Sequence, residues 1–147
     1  MQGMQAQTTI SIDSIREDFS LIDDWEDRYR YVIELGDDLE PLPPSAQTDV
    51  NKVQGCVSQV WLQTLVGEGA DPPITFRGTS DAHIVRGLVA ILLALFSGRR
   101  ASEIASTDAE AVLRELGLDE HLTPQRSNGL RSMVRRIKRD AEVALAS

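Results

Sequence analysis

At 147 residues, with 41% hydrophobic and 26% charged positions, the chain has the composition of one ordinary folded domain with a single hydrophobic core. Its formal net charge of −8 disfavours nucleic acid, whose binders draw most of their affinity from a basic face. The longest apolar run, Leu88 to Phe96, is far short of the roughly 20 residues that cross a bilayer, so a soluble, cytoplasmic protein with no membrane partner is expected.

The first ten residues are rich in Gln and Thr, lack apolar periodicity, and have neither the basic start nor the apolar stretch of a signal peptide. They read as a disordered tail (1–10) ahead of one domain (11–147) without internal repeats. Ile15, Phe19 and Ile22 recur at helical spacing. Asp24 then offers an N-cap to a second helix whose Trp25, Tyr29, Val32 and Ile33 share one face, with Gly36 expected to end it. The run Pro41-Leu42-Pro43-Pro44 cannot propagate a helix and reads as a loop.

The period then changes. A short strand is expected around Asn51 to Val53, a second over Ser58 to Val66, and a return strand through Ile74, Phe76 and Gly78, after a turn cluster from Gly67 to Pro72. Ser80 is expected to cap an apolar helix from Asp81 to about Ser97, closed by Gly98. A shorter helix follows between Thr107 and Gly117. A last one starts with Thr123 as N-cap and Pro124 in its first turn, where a missing N–H costs nothing. The order gives an α+β domain: a small antiparallel three-stranded sheet with helices packed on one face. Arg126, Arg131, Arg135, Arg136, Lys138 and Arg139 all fall on the last helix; such a run is more often a solvated face than an anion site.

Cys56 is the one cysteine. It can make no internal disulfide, and with His83 and His121 far apart in sequence it makes no metal centre within one chain. Gly55 permits a tight turn that places the thiol on a loop tip, where it can reach a partner. Two generic readings compete: a small buried hydrophobe, or a nucleophile served by His83 or His121 as base. Composition and spacing leave the choice open.

Four blocks, in collinear order, carry a resemblance. Trp25 to Gly36 (WEDRYRYVIELG), Asn51 to Leu62 (NKVQGCVSQVWL), Gly78 to Leu88 (GTSDAHIVRGL) and His121 to Leu130 (HLTPQRSNGL) together resemble the SufE family, from about Ile15 into the last helix. The resemblance implies the α+β fold shared with the scaffold protein IscU. It also implies a sulfur acceptor without cofactor or metal of its own. A pyridoxal-phosphate cysteine desulfurase, SufS-like or CsdA-like, would be stimulated and would pass persulfide sulfur to Cys56. An iron–sulfur scaffold would receive it, and the chain would be a monomer or weak homodimer.

Residue by residue, the resemblance makes Cys56 the sulfur-bearing position and Gly55 its turn. Ser58 and Gln59 become loop or persulfide hydrogen-bonding groups, Arg126 a group that stabilises anionic sulfur or docks the partner, and Asp81 an acidic residue at a helix start. Val57 departs from the family, where a polar Gln is common, and is expected to stiffen or bury the loop. Shielding of the thiol by apolar neighbours is expected, since an exposed persulfide is easily reduced or oxidised. Competing readings are a desulfurase-binding regulator in which Cys56 is dispensable, a thiol hydrolase, and a cluster scaffold pooling cysteines across a dimer.

Overall fold

The N-terminal helices are set by their caps. Ser11 Oγ accepts from the Ser14 amide at the head of α1 (Ile12–Leu21), and the Asp24 carboxylate accepts from the Glu26 amide at the head of α2 (Trp25–Asp37). Each occupies an amide that has no partner within its own helix. The computed structural model describes residues 10–147; the tail expected over 1–10 lies, except for Ile10, outside the described residues.

Gly36 does not end α2. It is buried within the helix, and a Cβ there would lie 2.6 Å from the backbone nitrogen of Gly87 on α3 (His83–Phe96). A Cβ on Gly87 would in turn lie 2.1 Å from the carbonyl oxygen of Val32. The two glycines let the backbones of α2 and α3 touch. The signal read as a helix terminator is a helix-crossing site, and spacing alone does not separate the two.

Strand β1 (Val60–Val66) pairs antiparallel with β2 (Pro73–Ser80), in register from Val60 opposite Ser80 to Val66 opposite Ile74. Val60, Leu62, Ile74 and Phe76 are buried on one face; Gly78 lies on that face too, where its missing side chain makes room for Leu62 and Val89 of α3. The sheet has three strands, as expected, but the third is a different segment. Asn51–Val53 makes only one bridge, Lys52 opposite Trp61, because the chain turns on both sides of it, at 48–51 and at Gln54–Gly55. The third strand is β3 (Arg99–Arg100), on the other edge of β2 against Pro73 and Ile74.

Helix α3 is buried almost throughout and forms the centre of the core. It starts at His83, not at Asp81: the Ser80 hydroxyl accepts from the Ala82 amide but belongs to β2, and Asp81 is engaged elsewhere. A helix that the sequence pattern does not signal, α4 (Ala101–Ser106), follows β3, with Glu103 accepting from the Arg100 amide. Thr107 therefore closes α4, and Asp108 caps α5 (Ala109–Glu115). A single turn, α6 (Leu118–His121), leads to α7 (Pro124–Ala146), which is capped by Thr123 as expected. No helix among the described residues is long and apolar enough to cross a membrane.

The basic residues of α7 do not form one solvated face. Arg136 pairs with Asp140 at 3.1 Å, and both side chains are nearly buried; its other nitrogens reach the carbonyls of Val50 (2.9 Å) and Lys52 (3.4 Å). Lys138 donates to the carbonyls of Ala105 and Thr107, tying α7 to the end of α4. Asp140 also accepts from the Thr64 hydroxyl at 2.6 Å. These bonds fix α7 against β1 and against the segment leading to Cys56.

Candidate functional site

Cys56 lies on the loop between the Lys52 bridge and β1, and the loop's shape follows from Gly55. That residue has φ +90°, and a Cβ on it would fall 2.6 Å from Ser132 Oγ of α7. Both the left-handed backbone and the close approach call for glycine here. The chain thus turns back against α7 and lays the next residue across the helix surface.

Cys56 is half-buried. Its Sγ lies 3.6 Å from the Gly129 carbonyl oxygen, a weak S–H···O contact, and a Cβ on Gly129 would be 3.5 Å from the sulfur. Burial pushes the thiol pKa up; the Arg135 charge pulls it down but does not cancel the effect. The free protein therefore holds Cys56 mainly as a neutral thiol.

The thiol opens into a cleft of about 240 Å³. Val85 of α3 and Met133 of α7 supply apolar lining, while Ser58, Thr123, Gln125 and Arg126 supply polar lining. The cleft receives the N-terminal turn of α7, a 23-residue helix whose dipole favours negative charge at that end. The Arg126 side chain, half-buried at the cleft, makes no ion pair or hydrogen bond with the described residues, so its guanidinium is available to an anion. A larger cleft, about 660 Å³, lined by Leu35, Leu39, Phe76 and Leu93 among others, holds no cysteine or histidine.

The sequence-selected residues divide into two groups. Cys56, Ser58 and Arg126 meet in the cleft. Gly55, Gln59 and Asp81 instead shape the loop. The Asp81 carboxylate accepts from the Gln59 amide at 3.1 Å, the Asp81 amide donates back to the Gln59 carbonyl at 3.3 Å, and the Ser80 hydroxyl donates to that same carbonyl at 2.7 Å. Asp81 is thus a clamp on the loop's exit, not a helix cap, and Gln59 does not line the cleft. Val57, expected to stiffen or bury the loop, is 79% exposed at the cleft rim.

Neither histidine lines the cleft. His83 sits beside Arg86 and Asp37, and His121 stacks on Trp25 with ring centroids 3.9 Å apart. A cysteine–histidine pair for hydrolysis is not assembled. No group of three or more potential metal ligands exists among the described residues. Gly129, Ser132, Met133 and Val85 also lie at the cysteine loop or its cleft, and the sequence does not single them out for it. A signal for some of them was present: a glycine inside a helical pattern, with Arg126 three positions before it and Ser132 three after, on one helix face.

Comparison with known proteins follows the same outline. Residues 13–141 match the family model described as "SufE: Fe-S metabolism associated domain". The chain is 62% identical over 133 residues to an uncharacterised SufE-like protein of Rhizobium meliloti (strain 1021), covering 90% of this chain and 95% of the relative. It is 57% identical over 138 residues to an uncharacterised SufE-like protein of Rhizobium etli, covering 93% of each. The solution structure of a hypothetical protein from Thermus thermophilus superposes with a TM-score of 0.71 over 92% of this chain and 96% of that one, at 20% identity, a likeness of fold.

Proposed function

The chain belongs to the SufE family, and from that premise we propose that it is a sulfur acceptor: Cys56 takes the terminal sulfur of a persulfide held by a pyridoxal-phosphate cysteine desulfurase and carries it toward iron–sulfur cluster assembly. The observation that carries this reading is the placement of Cys56, the chain's one cysteine, on a loop tip beside an unpaired arginine and a helix N-terminus, with no histidine base and no metal-ligand cluster among the described residues.

The chemistry needs little else. The Cys56 thiol loses its proton to solvent, and its thiolate attacks the outer sulfur of the donor persulfide. A new S–S bond forms on Cys56 while the donor's S–S bond breaks; the donor cysteine leaves as a thiolate that regains a proton. The sulfane sulfur moves without net oxidation or reduction of the pair. The resulting persulfide anion has Arg126 and the first turn of α7 at hand, and Val85 and Met133 limit its exposure to water. A second exchange of the same kind delivers the sulfur to an acceptor thiolate on a scaffold.

Burial lowers the thiolate fraction of Cys56 further, so a partner that draws the loop away from Gly129 would favour transfer. Exposed Val57 and the Arg126 side chain sit where such a partner would dock.

Intact-mass measurement after mixing the chain with a desulfurase and cysteine, without reductant, tests the proposal. A gain of one sulfur mapped to Cys56, absent in Cys56→Ser, together with faster desulfurase turnover, is the expected result. Turnover stimulated equally by Cys56→Ser would overturn it in favour of a binding regulator.

A further inference from the structure

The outer edge of β2 is covered residue by residue, and the cover stops short of Gly78. Leu62 donates its amide to the Asn51 carbonyl, away from β2, so Leu62 and Gly78 face each other as a pair without mutual hydrogen bonds. Residues of that parity on β2 therefore turn their N–H and C=O groups toward its free edge. The Ile74 carbonyl accepts there from the Gly98 amide at 2.7 Å, beside β3. The Phe76 amide donates to Ser97 Oγ at 2.9 Å, and the Phe76 carbonyl accepts from the same hydroxyl at 3.3 Å. At Gly78 neither backbone group has a partner among the described residues.

Gly78 lines the larger cleft, of about 660 Å³, which has no lining residue in common with the cysteine cleft among the described residues. Leu35 and Leu39 from the α2 side, and Ala90 and Leu93 of α3, form its apolar walls. Arg77 lies on the same stretch of β2 and holds Glu40 at 2.7 Å. An apolar cleft along an unpaired sheet edge suits an extended backbone: the edge offers one donor and one acceptor, and the walls take alternate side chains.

Ile10, the first described residue, lines this cleft and packs against the core, so the chain that precedes it starts from the cleft itself. Residues 75–78 of β2, which line the cleft, span about 13 Å, whereas the six residues 4–9 reach about 20 Å when extended. Met4 and Ala6 share the parity of Ile10, with Gln5 and Gln7 between them. That pattern is too slight to signal a strand on its own; the cleft supplies the apolar surface and the backbone partner that the segment lacks.

We propose that residues 4–9 add a short fourth strand to the sheet at the free edge of β2. The segment pairs with the Gly78 backbone, turns Met4 and Ala6 toward Leu35, Leu39 and Leu93, and leaves the two glutamines in water. It closes the cleft from within the chain and takes no part in the chemistry of Cys56.

The test is amide hydrogen exchange, followed by NMR in the full chain and in a chain that starts at Ile10. The Gly78 amide should exchange about tenfold or more slowly in the full chain than in the shortened one. The Arg77 amide, which faces Gln63 within the sheet, should exchange equally in both and reports any general loosening of the fold. A second measurement keeps the full chain: in a Cys56→Ser background, a nitroxide on Gln5→Cys should broaden the Gly78 and Leu93 resonances of its own molecule. Mixing spin-labelled chains with isotope-enriched, unlabelled ones separates the occupants, and broadening seen only between molecules would place a second copy in the cleft and overturn the proposal. Equal Gly78 exchange in the two chains would overturn it too, as would unbroadened Gly78 and Leu93 resonances.

Discussion

The Cys56 sulfur faces the carbonyl oxygen of Gly129 at 3.6 Å, across 73 positions of sequence. A glycine in the second turn of a long helix would ordinarily be a cost; here it leaves open the patch of helix surface on which the thiol rests.

Replacing that glycine tests the relationship. Gly129→Ala would place a methyl carbon 3.5 Å from the sulfur, an ordinary van der Waals distance, so the fold should accept it. Higher helix propensity should raise stability by up to about 1 kcal/mol. The added methyl should also shield the thiol and slow its alkylation. Denaturant titration and iodoacetamide kinetics give the two readouts; a destabilised variant with a faster-reacting cysteine would show that the loop does not rest on Gly129.

Gly55→Ala should cost about 1–3 kcal/mol, because alanine must adopt φ near +90° and its Cβ meets Ser132 Oγ at 2.6 Å. The steric part is separable. In the Gly55→Ala, Ser132→Ala double variant the nearest atom becomes the residue 132 Cβ, at 3.4 Å. Urea unfolding of the four proteins of the cycle should therefore show favourable coupling between the sites, with the dihedral part of the cost left over. Simple additivity would contradict the close approach.

Gly87→Ala should be among the most damaging substitutions in the chain, costing about 3 kcal/mol or more. Its Cβ would overlap the Val32 carbonyl at 2.1 Å and force α2 from α3. Gly69, where a Cβ would meet nothing within 4 Å, should lose little more than its dihedral preference when made alanine. Thermal unfolding of the two variants gives the comparison; equal losses would mean that the helix crossing is looser than described.

Stability should fall at alkaline pH in a way that depends on Cys56. Its thiol pKa is raised in the folded chain by burial, so above the unfolded value the unfolded state releases a proton that the folded state keeps. The associated stability is fully present below the unfolded thiol pKa and is lost as pH rises through the folded one. Cys56→Ser should remove this component, leaving a shallower alkaline slope in pH-dependent denaturation curves. Tyr31, raised by burial and by its bond to Asp18, acts in the same direction at still higher pH in both proteins. Superimposable slopes would mean that the thiol is not buried in solution.

Local chemistry was legible along the chain. Asp24 and Thr123 cap the helices assigned to them, and the turn cluster from Gly67 to Pro72 joins the two long strands. In each case the partner lies within a few residues, so spacing and residue type carry the information. Cys56 on a loop, and the collinear blocks around it, were equally plain.

Elements whose partners are distant in sequence were not. Gly36 reads as a terminator until Gly87 is brought against it, and Asp81 as a cap until Gln59 is. The third strand is Arg99–Arg100 because β2 has a free edge there, which no property of those two arginines announces. The sequence by itself determined the longer helices, the hairpin, the family and the loop position of the one cysteine. The tertiary structure alone decided what surrounds the sulfur: the Gly129 carbonyl, the apolar Val85 and Met133, and the Arg126 side chain with no partner among the described residues. Burial and the sum of nearby charges set a thiol's reactivity, and both arise only when a loop and a helix 73 positions apart are packed together.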